Sequence, residues 1–82
     1  MADTFATADQ YLAAYLITKA LHFTRTGTDG RFTTFHFEHP DVAEDWRKAY
    51  EANEPVNILD YVDALKVIYG AIRERKQREE IR

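Results

Sequence analysis

The chain has 82 residues, a formal net charge of −3 at pH 7, and neither cysteine nor serine. This length predicts a single small domain. The two absent residue types exclude serine and cysteine nucleophiles, disulfide bonds, thiol redox chemistry and cysteine-ligated zinc. No apolar run approaches the roughly 20 residues of a membrane span, and the first residues lack the features of a signal peptide. We therefore expect a cytoplasmic protein that does not span a membrane.

A first helix is predicted to begin after Thr7 and to end near Ala20. Thr7-Ala8-Asp9-Gln10 fits a capping box, with Thr7 as the N-cap residue and Gln10 three residues later. Apolar residues then recur at helical spacing and are expected to face the core: Leu12, Tyr15, Leu16 and Ala20.

Residues 21–26 and 31–38 are rich in Phe and Thr, which indicates two strands of a hairpin. A three-residue loop, Thr28-Asp29-Gly30, is favoured over a two-residue Asp29-Gly30 turn, because it gathers the large apolar side chains on one face. Those side chains are Leu21, Phe23, Phe35 and Phe37. This register places His22 opposite His36. A short third strand from residues 4–6 or 55–57 is also compatible with the sequence.

Two further helices complete the pattern. One opens at Pro40 or Asp41 and ends at Asn53-Glu54-Pro55, and the next starts with Asn57 as its N-cap. The apolar residues of the last helix recur at spacings of three and four, which indicates one apolar face, and they stop at Ile72: Ile58, Tyr61, Val62, Leu65, Ile68, Tyr69 and Ile72. The sequence therefore predicts one α+β domain over residues 1–72, in the order α-β-β-α-α with a two-stranded antiparallel hairpin packed against helices. Residues 73–82 are predicted to form a charged helical tail with a frayed end.

The order of these elements resembles the DUF5659 domain family. The first helix matches through Asp9-Gln10-Tyr11-Leu12-Ala13-Ala14-Tyr15-Leu16, and the second strand through Phe35-His36-Phe37. The remaining matching positions are Trp46, Tyr50, Val56, Tyr61 and Leu65, so that the resemblance covers residues 5–72. One departure is visible, since family members tend to carry Gly where this chain has Lys19-Ala20.

The resemblance implies a short protein of bacteria, archaea or their viruses, with no assigned function. It supports the predicted order of elements and suggests that a phage or mobile element encodes the chain, which then acts in the host cytoplasm. It transfers no catalytic residue.

One face of the predicted hairpin carries the candidate binding residues. Phe32 is the one aromatic side chain predicted to point away from the core, with His22 and His36 on the same face and Arg25 and Arg31 near the hairpin tip. Aromatic side chains on strands stack on nucleic-acid bases, and arginine binds phosphate. These five residues are therefore the candidate binding site for a nucleotide or single-stranded nucleic acid.

The charge distribution disfavours a polyanionic ligand. Residues 1–72 contain six Lys/Arg and eleven Asp/Glu, whereas residues 73–82 contain five Lys/Arg and three Glu. The acidic body repels nucleic acid over long range. The glutamates of the tail weaken its interpretation as a basic binding segment.

The combination of side chains that most resembles a metal site in the predicted register is His22, His36 and Glu38. The same positions fit an exposed cross-strand pair, and we adopt that interpretation. The sequence thus predicts no metal, no cofactor and no catalytic residue.

Taken together, these features predict a non-enzymatic interaction module that binds a host or viral protein. The alternative is a nucleotide or single-stranded nucleic-acid binder that uses the hairpin face. Gly70 interrupts a good helical pattern, which indicates either a helix end or a close backbone approach in a homodimer. The residues leave that choice open.

Overall fold

A computed structural model describes residues 4–80 of the chain and the side chains of residues 4–78. Its elements, in chain order, are β1 (Phe5–Thr7), α1 (Gln10–Thr18), β2 (Phe23–Asp29), β3 (Phe32–Phe37), α2 (Pro40–Glu51) and α3 (Ile58–Glu80). The predicted α+β class is confirmed. The predicted order was incomplete, because a strand precedes the first helix.

The sheet has three antiparallel strands in the order β1-β3-β2, so the predicted two-stranded hairpin is wrong. β1 pairs with the edge of β3 that does not pair with β2, with Phe5 opposite Phe37 and Thr7 opposite Phe35. This pairing makes β3 the central strand and satisfies the backbone groups along both of its edges. A two-stranded hairpin alone is marginal in water, and the third strand relieves that weakness.

The predicted three-residue loop of the hairpin is also wrong. Asp29 pairs with Phe32, which leaves Gly30 and Arg31 as a two-residue turn. Gly30 has a φ of +64° and occupies the first central position, where type II′ turns place glycine. The sequence correctly identified Gly30 as the residue with positive φ but assigned it to the wrong position in the loop.

A β-bulge in β2 places Phe23 on the same face of the sheet as Phe35 and Phe37, despite the two-residue turn. The register of β2 shifts between Phe23 and Arg25, so that Thr24 is the extra residue. Without the shift, Phe23 would point to the opposite face from Phe35. With it, Phe23 pairs with Phe37 and its ring centroid lies 5.2 Å from that of Phe35. The apolar face was therefore predicted correctly, although a bulge rather than the loop length produces it.

Asp9, and not Thr7, is the N-cap of α1. The Asp9 Oδ1 accepts hydrogen bonds from the backbone N–H of Tyr11 and Leu12, at 3.0 and 3.2 Å. Thr7 belongs to β1, and its hydroxyl accepts a hydrogen bond from the Asp9 N–H. The predicted capping box is wrong because the chain has to leave β1 before the helix begins. By contrast, the predicted cap of α3 is confirmed, since Asn57 Oδ1 accepts from the N–H of Leu59 and Asp60.

The end of α1 is a Schellman motif in which alanine occupies the position that usually holds glycine. Ala20 has a φ of 67°, its N–H bonds to the carbonyl of Ile17, and the N–H of Leu21 bonds to the carbonyl of Leu16. Ala20 is exposed, so its predicted place in the core is wrong. The helix ends at Thr18 because this turn redirects the chain towards β2.

The core lies between one face of the sheet and the helices. Phe35 and Phe37 of the central strand are fully buried, together with Leu16 of α1 and Ile68 of α3. α1 is buried without interruption over residues 12–16 and contacts β1, α2 and α3. The opposite face of the sheet is more open, with Phe32 66% exposed.

α3 continues without a break through Gly70 and across the boundary at residue 72 that the sequence suggested. A Cβ atom added at Gly70 would meet nothing within 4 Å, so neither a helix end nor a close approach within this chain explains that glycine. Beyond the boundary, Arg75 packs against the hairpin. Residues 81–82 of the predicted tail lie outside the described residues.

Candidate functional site

The structure brings the predicted binding residues together in two pairs, Arg25 with His36 and Arg31 with Phe32, and leaves His22 apart. Arg25 lies directly opposite His36 across β2 and β3. Phe32 is exposed at the start of β3, as expected, and Arg31 lies in the adjacent turn. His22 precedes β2 and is exposed, so the predicted His22–His36 pair is wrong. The residues along the open face are therefore dispersed and do not form one pocket.

His36 is held in place by its neighbours on the open face. Its Nε2 lies 3.1 Å from the Thr34 hydroxyl, and a Cβ atom added at Gly27 would lie 3.1 Å from the same nitrogen. A side chain at position 27 would therefore have to displace the His36 ring or the Thr34 hydroxyl, which lies 2.9 Å from the added Cβ. The Nδ1 is buried and has no hydrogen-bond partner within the described chain. Burial, and secondarily Arg25, lowers the pKa of His36, which favours a neutral imidazole.

We expect His36 to make the free energy of unfolding depend on pH. Because its pKa is lowered from 6.5 in the folded chain, the unfolded chain takes up a proton first as the pH falls. This contribution is fully present above pH 6.5 and decreases below it. Urea unfolding across about pH 5 to 8 measures the slope. His36→Gln should flatten it, whereas His22→Gln, at an exposed position outside the strands, should not. An unchanged slope in His36→Gln would contradict the assignment.

Three arginines converge beside the edge strand β2. Arg25 of the hairpin meets Arg75 and Arg78 of α3 around a groove of about 300 Å³, which we call the arginine groove. The Nη1 of Arg75 donates to the carbonyl oxygen and the hydroxyl of Thr26, at 3.3 and 3.1 Å. Glu74 also lines the groove and forms an ion pair with Arg78. The groove thus joins residues that the sequence had assigned to separate segments.

Phe32 lies on a second, smaller pocket of about 160 Å³. Arg31, Lys76 and Ile72 also line it. The second half of α3 therefore brings positive charge close to both the edge and the tip of the hairpin.

α3 also exposes large apolar side chains. Ile58 and Leu59 are more than 70% exposed, and Val62 and Tyr69 are each 41% exposed. Ile58, Val62 and Tyr69 follow one another at spacings of four and seven residues and so share one side of the helix, with Leu59 at its edge. We call these four residues the outer stripe.

Basic residues accompany the outer stripe. Lys66, Arg73 and Lys76 are exposed and lie three, four or seven residues from a member of the stripe. The opposite flank of α3 is acidic, because Asp60 and Asp63 line a pocket there with Val67. The two sides of the same helix thus differ in charge.

The outer stripe was not predicted, because the same helical periodicity includes the apolar residues of α3 that face the core and those that are exposed. Tyr61, Ile68 and Ile72 pack on the core, whereas Ile58, Val62 and Tyr69 were assigned to the same apolar face and are exposed. The spacing 58, 62, 65, 69 is the signal that could have revealed a second stripe. Deciding which stripe is covered required the position of α1.

Among the described residues, no group of three or more His, Cys, Asp or Glu side chains is placed to hold a metal ion. Over the same part of the chain, each helix is too short or too polar to cross a membrane.

No protein-family model, no curated protein and no solved structure matches the chain. The resemblance to DUF5659 therefore stays a prediction, and so does the phage or mobile-element origin that it implies.

Proposed function

We propose that the protein is a small non-enzymatic interaction module that binds another protein through the outer stripe of α3. The exposure of Ile58, Leu59, Val62 and Tyr69 carries this proposal. Burying such side chains against a partner is the main favourable term in protein association, and contiguous apolar surface on a small domain is typical of an interaction site.

The charges around the stripe select the partner. Lys66, Arg73 and Lys76 border the apolar side chains, so a partner with Asp and Glu around its own apolar residues would be complementary. An amphipathic helix that lies along α3 has this form. A second copy of this chain fits less well, because its stripe is bordered by the same cations.

Two valines of α3 provide a matched test. Val62→Asp introduces a negative charge into the stripe, whereas Val67→Asp makes the same change at a similarly exposed valine on the acidic flank. The probe is a synthetic amphipathic helical peptide whose apolar face is bordered by Glu, and fluorescence anisotropy measures its Kd. We expect Val62→Asp to weaken binding at least about tenfold, equivalent to about 1.4 kcal/mol, and Val67→Asp to leave it nearly unchanged.

Two controls make the result decisive. A peptide with the same apolar face bordered by Lys should bind weakly or not at all. Equal binding of the Glu and Lys peptides, or equal effects of the two variants, would refute the proposal. Sedimentation of the chain alone tests for a homodimer, and a dimer that Val62→Asp dissociates would replace the acidic partner with a second copy.

The arginine groove supports a second candidate function, the binding of a phosphate-bearing ligand such as a nucleotide or single-stranded nucleic acid. Arg25, Arg75 and Arg78 supply the positive charge for such a ligand. Titration with inorganic phosphate and with a short oligonucleotide, followed by NMR, tests this function. We expect Arg25→Gln to weaken binding several-fold and Arg31→Gln, at a hairpin arginine outside the groove, to do so less. Equal effects would exclude the groove as the site.

A further inference from the structure

A pocket of about 560 Å³ opens between α1, the end of α2 and the start of α3. Tyr15, Tyr50 and Tyr61 line it with aromatic rings, and Glu51 and Glu54 line it with carboxylates. Its volume lies within the range of about 300–1,000 Å³ that small-molecule sites occupy. We call it the tyrosine pocket, and it shares no lining residue with the outer stripe or the arginine groove.

Two of the three rings in the tyrosine pocket are tilted against each other. The ring centroids of Tyr15 and Tyr50 are 5.5 Å apart with an interplanar angle of 59°. The hydroxyl of Tyr61 donates to the backbone carbonyl of Tyr11 at 3.1 Å, which fixes the third ring. Tilted aromatic rings around a concave site are the arrangement that binds alkylated ammonium groups, because the ring faces attract a cation.

A cation of the chain itself already uses the same aromatic cluster. The Nζ of Lys19 lies 5.3 Å from the ring centroid of Tyr15 and 4.9 Å from that of Trp46. Lys19 and Trp46 do not line the tyrosine pocket.

The electrostatic environment of the pocket favours a positive ligand. Burial, followed by the charge of Glu54, raises the pKa of Tyr15. Burial, followed by Tyr50 and Asp9, raises the pKa of Tyr61 to about 12. The phenols therefore stay neutral at neutral pH, while the carboxylates supply negative charge. Arg47 offsets part of this charge through its ion pair with Glu51.

The hydroxyl of Tyr15 is the second observation that points to a ligand. Tyr15 is only 2% exposed, and its Oη is buried without a hydrogen-bond partner in the described part of the chain. Buried polar groups in folded proteins nearly always have a partner, and an unpartnered one is unfavourable. A ligand N–H in the tyrosine pocket would provide that partner.

We propose that the tyrosine pocket binds an alkylammonium group that carries at least one N–H, such as a dimethylammonium group. Its methyl groups would contact the three rings, Glu51 and Glu54 would compensate its charge, and its N–H would donate to the Tyr15 hydroxyl. A quaternary ammonium would keep the first two interactions and lose the third. The group would belong either to a free small amine or to the side chain of a modified lysine in a peptide.

NMR titration of the full chain tests this proposal. Dimethylammonium chloride should shift the ring signals of Tyr15, Tyr50 and Tyr61, and should bind about fivefold more tightly than tetramethylammonium chloride because of the extra hydrogen bond. Acetylated, amidated dimethyllysine separates the two sources. Tighter binding of this compound than of dimethylammonium indicates a lysine side chain, and equal binding indicates a free amine.

Conservative variants assign the interactions. Tyr15→Phe should abolish the preference for dimethylammonium over tetramethylammonium, and Tyr11→Phe, at a side chain that does not line the pocket, should preserve it. Glu54→Gln should weaken the binding of both dimethylammonium and tetramethylammonium. The thermal midpoint of each variant checks that the fold is retained. Binding of acetylated, amidated norleucine as tight as that of the cations would overturn the proposal, and so would unshifted tyrosine signals. None of these outcomes bears on the outer stripe, so the two proposals fail independently.

Discussion

Replacing Phe35 by alanine is expected to lower the free energy of unfolding by about 3–5 kcal/mol, the cost of removing a buried phenylalanine ring. Phe35 is fully buried in the central strand, between β1 and β2. A domain of this size has a total stability of about 4–12 kcal/mol. The substitution should therefore remove at least about a quarter of the stability, and at the lower end of this range it should leave most of the chain unfolded at 25 °C.

Phe32→Ala is the matched control, since it removes the same ring from the same strand. Phe32 is 66% exposed, so we expect a loss within about 0.5 kcal/mol. Urea titration followed by circular dichroism measures both losses. If Phe35→Ala does not fold, Phe35→Leu extends the comparison with a smaller change. Similar losses at positions 32 and 35 would contradict the assignment of faces to β3.

Replacing Ala20 by glycine is expected to stabilise the protein by about 1 kcal/mol. Ala20 ends α1 with a φ of 67°, a left-handed conformation that costs an L-residue roughly 1–2 kcal/mol and costs glycine almost nothing. Part of this gain is offset because glycine gives the unfolded chain more conformational freedom. Differential scanning calorimetry should show an increase in Tm of several degrees.

Ala52→Gly provides the control at the end of α2. Ala52 is also exposed and terminates a helix, but its φ of −78° is ordinary for alanine. Glycine there should destabilise the protein by about 0.5 kcal/mol. The opposite signs of the two substitutions identify backbone strain at Ala20. A destabilised Ala20→Gly would show that alanine at this position is not strained.

Local signals in the sequence predicted most of the helices. Pro40 and Asn57 mark the starts of α2 and α3, because proline is suited to a first turn and an asparagine side chain accepts the free N–H groups of a helix start. The N-cap of α1 was misplaced because Thr7 and Asp9 are both good capping residues. Only the pairing of Thr7 with Phe35 removes Thr7 from the helix.

The sheet could be predicted only in part. Alternating phenylalanines identified the buried face, since strand side chains alternate between two faces. The register depends on a bulge at Thr24, and the third strand depends on a pairing between residues 30 positions apart in the sequence. The sequence left residues 4–6 and 55–57 open as a third strand, and the structure has it at Phe5–Thr7. A strand as short as β1 carries too little pattern for the sequence to choose between the two segments.

The candidate sites, like the sheet, could be predicted from the sequence only in part. Sequence reasoning identified Phe32 as exposed and selected Arg25, which lines the arginine groove. It did not group Arg25 with Arg75, because the two residues are 50 positions apart. The tyrosine pocket was missed for the same reason, since α1, α2 and α3 each contribute one ring.

The composition of the chain is informative without any structure. The absence of cysteine and serine, the size of one domain and the excess of acidic residues are properties of the sequence by itself. Tertiary structure decided where the charges lie, because α3 carries the basic residues of the predicted tail to the hairpin and keeps Asp60 and Asp63 on its other flank. Local propensity determines which segments are helical, whereas only packing against α1 determines which side of α3 is buried and which side is exposed.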